Sequence, residues 1–253
     1  MSQTKIFNPF EFDEKEKEAF DRDGHFLLPG ILTSEACKQL TRSLALIQPF
    51  RESKDPQLRH HSGYAAEYDS YLASLIAHPQ MLDLMHKVLG PDIRFDHCGT
   101  LNRPPGHQGF GWHSHGYADD QPELGLILVF FYVNGFSADD ASLKVVPGSH
   151  HYRDPAIKGG TDQELRSGWL NGKKHPMTGV PLDLEVLEAP KGTVILMWIH
   201  AAHAVNARKL DSTTRWTVVY GYRNPGEESS SRHITKEFEQ NPYPGTAFLL
   251  SSS

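Results

Sequence analysis

The sequence Phe110-Gly-Trp-His-Ser-His-Gly-Tyr117 contains two histidines, His113 and His115, where a short strand is predicted to enter a glycine-rich loop. Side chains two residues apart on a strand point to the same face of the sheet. Both imidazoles can therefore converge on one point inside a barrel, where a third histidine from a distant strand would complete a facial set of metal ligands. The spacing alone is a weak signal, because 15 histidines among 253 residues make about one His-x-His expected by chance.

The chain around this segment reads as a series of short strands separated by Pro, Gly, Asn and Asp. The strand-like runs are Ile93–Leu101, Leu124–Val133, Ser142–Val146, Leu184–Leu187, Thr193–Ile199 and Thr214–Tyr222. Regularly spaced strands without intervening helices favour an antiparallel sandwich or barrel over a parallel α/β sheet. The polar segment 153–182 interrupts them, and so long a connection inside one domain is typically functional or mobile.

The first third of the chain has helical periodicity instead. It predicts a charged helix at 12–23 ending at Gly24, a helix from Glu35 to about Gln48 capped by Thr33 or Ser34, and a helical stretch from Tyr71 to Leu89 broken near Pro79. We therefore predict a mainly β protein with flanking α-helices. A single domain would span residues 1–253, with a helical layer at 12–90, a β core at 93–226 and a C-terminal tail at 227–253 whose Phe248-Leu-Leu250 docks back onto the body.

Composition excludes several classes of partner. The net charge of −6 offers no excess of Lys and Arg to displace counterions from phosphates, so general nucleic-acid binding is not expected. No apolar run reaches membrane-spanning length. The two cysteines, Cys37 and Cys98, have no metal-type spacing and indicate a reducing compartment. We expect a cytoplasmic protein that acts on a small molecule, and a homo-oligomer remains an option.

Four features follow one another in the strand-rich half of the chain. They are the Gly-Trp-His-x-His motif ending at His115, the run Leu143-Lys-Val-Val-Pro-Gly-Ser-His150, the run Pro190–Trp198 leading to His203 and Asn206, and Arg215-Trp-Thr217. In this order they resemble the phytanoyl-CoA dioxygenase family of iron- and 2-oxoglutarate-dependent oxygenases. The resemblance spans roughly residues 12–226 and includes the N-terminal Asp23-Gly-His-Phe-Leu-Leu-Pro-Gly30.

The resemblance implies a double-stranded β-helix, the jelly-roll or cupin-like core, which binds Fe(II) and uses 2-oxoglutarate as co-substrate with dioxygen. Carried over by position, His113 is the first metal ligand, His203 is the distal ligand and Arg215 grips the distal carboxylate of 2-oxoglutarate. An arginine suits this task because its planar, permanently charged fork meets a carboxylate bidentately. Thr217, on the same strand face, and Asn102 are further candidates for binding the co-substrate.

His115 stands where the family pattern has an acidic residue. Three imidazoles still leave three positions on iron, enough for bidentate 2-oxoglutarate and dioxygen, but the centre carries one more positive charge. We expect weaker Fe(II) retention, a higher redox potential and a different choice among metals. Asp119 or Asp120 is an alternative acidic ligand. Halogenation is not expected, because admitting a halide would need a small residue in place of His115.

His200 competes with His203 for the distal position. The two are three residues apart, so on a strand they point to opposite faces and only one of them can be a ligand. His203 is preferred because its separation from Arg215 matches the family. Asn206 is predicted to support the distal histidine.

The leading hypothesis is a non-haem iron, 2-oxoglutarate-dependent dioxygenase that hydroxylates or oxidises a small organic substrate. One alternative is a three-His metal dioxygenase that works without 2-oxoglutarate, which His115 favours and Arg215 disfavours. The other is a catalytically silent barrel that binds a metal or a small molecule. The segments 51–67 and 153–182 are predicted to shape the pocket mouth, with His60 and His61 as solvated loop residues. Candidate contacts for substrate are Arg59, Arg103, Lys158, Lys173 and Lys174.

Overall fold

The computed structural model describes residues 4–226 and 228–251, so parts of the predicted N-terminus and C-terminal tail lie outside the described residues. The helices are α1 (Glu14–Asp23), α2 (Ser34–Glu52), α3 (Ala65–Tyr68), α4 (Ser70–Ile76), α5 (Pro79–Leu89), α6 (Asp162–Ser167), α7 (Lys236–Gln240) and α8 (Ala247–Leu250). The strands are β1 (His25–Leu28), β2 (Arg94–Thr100), β3 (Phe110–His113), β4 (Leu126–Tyr132), β5 (Leu143–Val145), β6 (Lys158–Gly159), β7 (Glu185–Val186), β8 (Thr193–Trp198), β9 (His203–Val205) and β10 (Thr217–Arg223).

The strands form two antiparallel sheets with crossed connections. The first sheet has the order β1-β8-β4-β10-β2, and the second has the order β6-β3-β9-β5-β7. Neighbours in each sheet come from distant parts of the chain, as in a jelly roll. This confirms the predicted fold class, mainly β with flanking helices.

Strand β4 shows how the first sheet divides two hydrophobic layers. Leu128 and Phe130 point into the space between the sheets, whereas Val129 and Phe131 point to the helical layer. Successive side chains of a strand alternate between faces, so a strand covered on both sides needs apolar residues at every position. This explains the unbroken apolar run that predicted β4.

The helical layer covers the outer face of the first sheet. α1 begins with a capping box between Asp13 and Glu16 and ends at Gly24, whose φ of 84° is left-handed. The predicted break near Pro79 is confirmed: α4 ends at Ile76, and α5 begins with Pro79 at its first position, where its missing N–H costs nothing.

The end of α2 differs from the prediction. The helix does not stop at Gln48 but continues through Pro49 to Glu52. Proline removes one intrahelical hydrogen bond, and packing of the buried Ile47 one turn earlier holds the helix in place. The extra turn carries Arg51 toward the space between the sheets.

His60 was predicted as a solvated loop residue, and this prediction is wrong. The side chain is 6% exposed, its two ring nitrogens face the carbonyls of Ile47 and His61, and the ring stacks on Tyr68 with centroids 4.1 Å apart. His60 therefore fastens the loop after α2 to the helical layer. His61 is exposed, as predicted.

The segment 153–182 is packed, and it lies away from the space between the sheets. Its apolar residues Ile157, Leu165 and Leu170 bury themselves against Trp112, on the outer face of the second sheet. The Trp112 indole N–H donates to Asp162 at 2.8 Å, which ties α6 to β3. The segment looked polar and irregular in sequence because its few apolar residues are widely spaced.

At the other end of the chain, the predicted docking of the C-terminal segment is confirmed. Leu249 and Leu250 are buried in the helical layer, and Phe248 is 58% exposed. Cys37 and Cys98 are buried free thiols. None of the helices within the described ranges is long and apolar enough to cross a bilayer.

Candidate metal centre and co-substrate pocket

The structure brings His113, His115 and His203 together. One ring nitrogen from each residue lies within 4.8 Å of the others. The ring centroids of His113 and His203 are 4.0 Å apart, and that of His115 is 4.9 Å from His113 and 5.5 Å from His203. Within residues 4–226 and 228–251, no other group of three His, Cys, Asp or Glu side chains meets this geometry.

The β3–β9 pairing accounts for this convergence. His113 is the last residue of β3, and it lies directly opposite His203, the first residue of β9. Gly109 has a φ of +78°, and a Cβ at this position would collide with the carbonyl of Val205, so only glycine lets the chain enter β3 here. His115 lies in the loop after β3 and not on the strand, which corrects the prediction that both histidines belong to one strand face.

Hydrogen bonds set the orientation of two of the three rings. Nδ1 of His113 donates to the carbonyl of Gly111, and Nδ1 of His203 donates to the carbonyl of Ala201, both at 2.9 Å. A carbonyl can only accept, so each Nδ1 carries the proton and each Nε2 keeps its lone pair. Histidine ligands of metals are held in this way.

The pKa of each of the three imidazoles is lowered, which favours the neutral form, although only His203 is buried and His115 is exposed at its surface. Burial is the main cause that lowers the pKa of His203 well below its usual value, and charge on His113 and His115 would lower it further. Surrounding protein atoms, and then His113, lower the pKa of His115 to about 4. Burial also lowers the pKa of His113, against the opposing effect of its hydrogen bond to Gly111. Neutral imidazole is the form that binds metal.

The alternative ligands lie elsewhere. The ring of His200 contacts the carboxylate of Asp119 at 2.9 Å, and that carboxylate also accepts from the backbone N–H of Tyr117. Asp120 is exposed. Neither aspartate belongs to the histidine cluster, and His203 rather than His200 completes it.

The cluster opens into a cavity of about 410 Å³ between the two sheets. This volume falls in the range of roughly 300–1,000 Å³ that is typical of small-molecule sites. No Asp or Glu occurs among the described residues that line it. The lining residues are Arg51, His97, Leu101, Arg103, Phe110, His113, His115, Leu128, Phe130, Tyr132, Leu143, Ile199, His203, Val205, Arg215, Val219 and Ser231.

Arg215 is a buried cation on the wall of this cavity. Its residue surface is 1% exposed, its Nη1 donates to the carbonyl of Ala141, and its guanidinium lies 5.0 Å from the ring centre of Tyr132 and 5.6 Å from that of Phe136. Burial lowers its pKa to about 10, which leaves it charged at neutral pH. No carboxylate of the described chain lies within 4.0 Å, and its Nε has no hydrogen-bond partner there. A buried charge left without a counter-ion is costly, so the position suits an anionic ligand.

Thr217 and Asn102 sit behind Arg215, outside the cavity lining. Thr217 is fully buried, and its hydroxyl has no hydrogen-bond partner among the described residues. Its backbone N–H donates to Asn102 Oδ1 at 3.1 Å, and Asn102 Nδ2 donates to Gln48 Oε1 at 2.6 Å. The Asn102 amide therefore links α2 to β10. Roles for both residues in co-substrate binding stay predictions. The Asn206 amide bonds to Ser142 and Ala138.

Some cavity residues could not be found from the sequence. Arg51 follows the predicted end of its helix at Gln48, and Tyr132 and His97 belong to predicted strands that carry no motif. Arg103 is one of the predicted substrate contacts, and its backbone pairs with that of Arg215 through two hydrogen bonds of 2.9 and 2.8 Å. The other basic candidates do not line the cavity: Arg59, Lys158, Lys173 and Lys174. The segment 153–182, predicted to shape the mouth, contributes no lining residue either.

Comparison with known proteins places this architecture among iron enzymes. Residues 20–210 match the family described as phytanoyl-CoA dioxygenase (PhyH). No curated protein matches the chain by sequence.

Several solved structures share the fold at low sequence identity. The epimerase SnoN in complex with Fe3+, alpha ketoglutarate and nogalamycin RO is 15% identical, with a TM-score of 0.65 over 92% of this chain and 91% of SnoN. HygX from Streptomyces hygroscopicus with nickel and 2-oxoglutarate is 17% identical, with a TM-score of 0.64 over 93% of this chain and 95% of HygX. Apo EctD from S. alaskensis is 16% identical, with a TM-score of 0.63 over 92% of this chain and 84% of EctD.

The family match covers well over half of the chain, and the fold with its histidine cluster agrees with it. The chain belongs to the phytanoyl-CoA dioxygenase family of non-haem iron, 2-oxoglutarate-dependent oxygenases.

Proposed function

We propose that this chain holds Fe(II) through His113, His115 and His203, anchors 2-oxoglutarate through Arg215, and oxidises a small organic substrate with dioxygen, by hydroxylation or a related reaction. The observation that carries the proposal is the convergence of three neutral imidazoles in a cavity whose wall also contains a buried guanidinium without a carboxylate partner.

The donor set fits a divalent transition metal. Three nitrogen donors on one side of an ion leave the opposite side open, and imidazole is a ligand that Fe, Ni, Cu and Zn all accept. His113 and His203 are already oriented by their carbonyl partners, so binding does not require them to reorganise. This set lacks a carboxylate. Its preference for Fe(II) over Ni, Cu and Zn is therefore weaker than that of a set with two histidines and a carboxylate.

The residues around the metal prepare the site for the reaction. Arg215, stacked near Tyr132 and Phe136, has the geometry to hold the far carboxylate of 2-oxoglutarate. Apolar side chains such as Leu128, Phe130 and Val219 exclude water from the space beside the histidines. When bound, the metal with 2-oxoglutarate supplies the oxidising chemistry drawn from dioxygen.

A second candidate function is a three-His dioxygenase that acts without 2-oxoglutarate. The histidine at position 115 favours it, because the cluster contains no carboxylate. Arg215 argues against it, because a buried unpaired guanidinium would then have no anion to bind.

An anaerobic titration separates these functions. Fe(II) and then 2-oxoglutarate are added to metal-free protein, and the visible charge-transfer band of the chelate is followed. We expect a saturable band in the wild type, no band in His203→Ala, and a higher 2-oxoglutarate requirement in Arg215→Ala. Iron binding without a band would favour the three-His function. Metal binding and a band, without oxygen consumption over a broad panel of compounds, would instead indicate a silent binding barrel.

We also propose a cytoplasmic location and no nucleic-acid partner. The two free, buried thiols support a reducing compartment, and the net charge of −6 disfavours phosphate backbones. Cell fractionation and a filter-binding assay with duplex DNA test these two points.

A further inference from the structure

The positive charge of the cavity exceeds what the co-substrate neutralises. Three arginines, Arg51, Arg103 and Arg215, line the cavity together with the histidine cluster, and no acidic side chain lines it with them in the described part of the chain. Fe(II) would add two positive charges and 2-oxoglutarate two negative ones. The loaded cavity therefore retains the charge of the three guanidiniums, in surroundings where charge is poorly solvated.

The buried carboxylates Asp140 and Asp96 lie outside the cavity lining, and Asp140 is paired with Arg208. Asp96 lies behind His97, and it accepts hydrogen bonds from His97, Ser229 and Ser231. It also lies 3.6 Å from the guanidinium of Arg223, which is fully buried on the other side. Asp96 is thus occupied by a cation of its own, outside the cavity lining.

The three arginines occupy different parts of the cavity. Arg215 comes from the segment before β10 and stacks near Tyr132, and Arg103 is paired with it along the backbone. Arg51 comes from the helical layer, in the last turn of α2. Arg103 is close enough to affect the pKa of both His113 and Arg215, whereas Arg51 affects Arg103 and His107. Arg51 therefore reaches the cavity from the helical layer, whereas the histidines belong to β3, β9 and the loop after β3.

Neither Arg51 nor Arg103 has a carboxylate within 4.0 Å among the described residues, and the Nε of Arg103 is buried without a hydrogen-bond partner. Glu52 follows Arg51 in the chain, but its side chain is exposed and contacts Gln48. Unlike Arg208, which is paired with Asp140 at 2.9 Å, neither of these two arginines forms an ion pair with a carboxylate in the described chain, and the charge that acts on Arg51 is that of the exposed Glu52.

From this arrangement we infer that the primary substrate carries an anionic group, a carboxylate or a phosphate, and that Arg51, with Arg103 beside it, recognises that group while the rest of the substrate lies against apolar side chains. The inference rests on the proposed function, because Arg215 is taken as the anchor of 2-oxoglutarate.

The apolar part of the cavity lining supports the second half of the inference. Leu101, Phe110, Leu143, Ile199 and Val205 line the same cavity, and the ring of Phe110 contacts that of His113 with centroids 4.7 Å apart. A substrate with an anionic head held at Arg51 can extend an apolar body across this surface toward the metal. Carbon atoms would then be the part of the substrate nearest to the histidines.

The test uses protein loaded anaerobically with Fe(II) and saturating 2-oxoglutarate. Isothermal titration calorimetry compares hexanoate, hexyl phosphate, inorganic phosphate and hexanol as probes. We expect one of the two anionic hexyl probes to bind at least about tenfold more tightly than both hexanol and inorganic phosphate, since charge-assisted hydrogen bonds and apolar burial each contribute. The identity of the tighter probe distinguishes a carboxylate from a phosphate.

Arg51→Gln should weaken binding of the preferred anion about tenfold, leave hexanol binding unchanged, and leave the 2-oxoglutarate concentration needed for the charge-transfer band unchanged. Arg51→Lys, which keeps the charge, should retain part of the affinity. Arg59→Gln, which removes an exposed arginine outside the cavity, is the matched control and should change nothing.

Equal affinity for hexanol and the anions, or an unchanged anion affinity in Arg51→Gln, would overturn the inference. A loss of 2-oxoglutarate binding in Arg51→Gln would also overturn it and assign the arginine to the co-substrate. If the proposed function itself is wrong, the wild type will show no charge-transfer band with Fe(II) and 2-oxoglutarate. In that case the same probes on metal-free protein still report whether Arg51 binds an anion.

Discussion

His113 and His203 face each other across the antiparallel pair β3–β9, and their ring centroids are 4.0 Å apart. Each ring donates from Nδ1 to the carbonyl two residues before it, that of Gly111 within β3 and that of Ala201 just before β9. Two identical local arrangements on paired strands therefore aim both Nε2 atoms at one place. Backbone pairing and these two hydrogen bonds orient both rings, as a preorganised ligand pair requires.

Removal of either of these histidines should abolish tight metal binding. In His113→Ala and His203→Ala we expect Fe(II) affinity to fall by more than the roughly 10- to 100-fold that follows loss of an outer hydrogen-bond partner. Anaerobic Fe(II) titration measures this loss. His86→Ala, on an exposed face of α5, is the control and should bind iron as the wild type does. Wild-type affinity in both cluster variants would disprove the assignment of the metal site.

Replacement of the third histidine by a carboxylate should strengthen iron binding. His115→Asp places a negative charge beside a divalent cation, and we expect about tenfold tighter Fe(II) binding. His115→Asn has the same shape without the charge, so it should bind Fe(II) more weakly than the Asp variant. Competition between Fe(II) and Zn(II) measures both effects. Equal affinities in the two variants would show that charge at this position does not control metal retention.

Arg215 should destabilise the metal-free protein, because its buried charge forms no ion pair in the described chain. We expect Arg215→Met to raise the melting temperature of metal-free protein by about 2–4 °C, the shift that corresponds to roughly 1 kcal/mol in a chain of this size. Addition of 2-oxoglutarate should not raise the melting temperature of the Arg215→Met variant. Thermal scans with and without co-substrate provide the measurement.

Arg208→Met is the matched comparison for Arg215→Met. It removes an arginine that is paired with Asp140 at 2.9 Å, and it should lower the melting temperature because the aspartate loses its partner. If both variants were destabilised alike, the guanidinium of Arg215 would be satisfied within the protein, and its role as an anion anchor would lose its physical basis.

Acid should destabilise the protein in part through His150. Burial, and then its neighbour His151, lower the pKa of His150 to about 3 from an ordinary value of 6.5. Below pH 6.5 the unfolded chain takes up a proton that the folded chain refuses, so the stability present above pH 6.5 is lost as the pH falls toward 3. The slope for one such group is at most about 1.4 kcal/mol per pH unit.

Urea denaturation at several pH values between 4.5 and 7 tests this effect. His150→Gln should show a shallower decline of stability with acid than the wild type, although its stability at pH 7 is lower. His86→Gln, from an exposed helix surface, should keep the wild-type slope. An unchanged slope in His150→Gln would mean that other groups account for the acid sensitivity.

Asn102 should contribute to stability by linking α2 to β10. Asn102→Ala leaves the buried backbone N–H of Thr217 without its acceptor, and we expect a loss of about 1–3 kcal/mol. Gln48→Ala removes the bond to the Asn102 amide nitrogen and an exposed bond to Glu52, but it leaves the Thr217 N–H paired and should cost less. Urea denaturation compares the two. A fall in 2-oxoglutarate affinity in Asn102→Ala but not in Gln48→Ala would give Asn102 the co-substrate role predicted from the sequence.

The sequence by itself determined the helical layer, most strand positions and the identity of the clustered histidines. The unbroken apolar run of β4, the left-handed Gly24 after α1 and the proline at the start of α5 are local signals, and local signals decide where elements begin and end. The histidines and Arg215 were found because their order along the chain matches a family pattern.

Only the tertiary structure decided what lies in the cavity and what lies behind it. The pairing of β3 with β9 places His203 directly opposite His113, and the fold turns His200 toward Asp119. Arg51 reached the cavity because α2 continues through a proline that locally signals an end. These outcomes depend on contacts between residues far apart in the chain, and such contacts leave no periodicity in the sequence, because packing against other elements selects them.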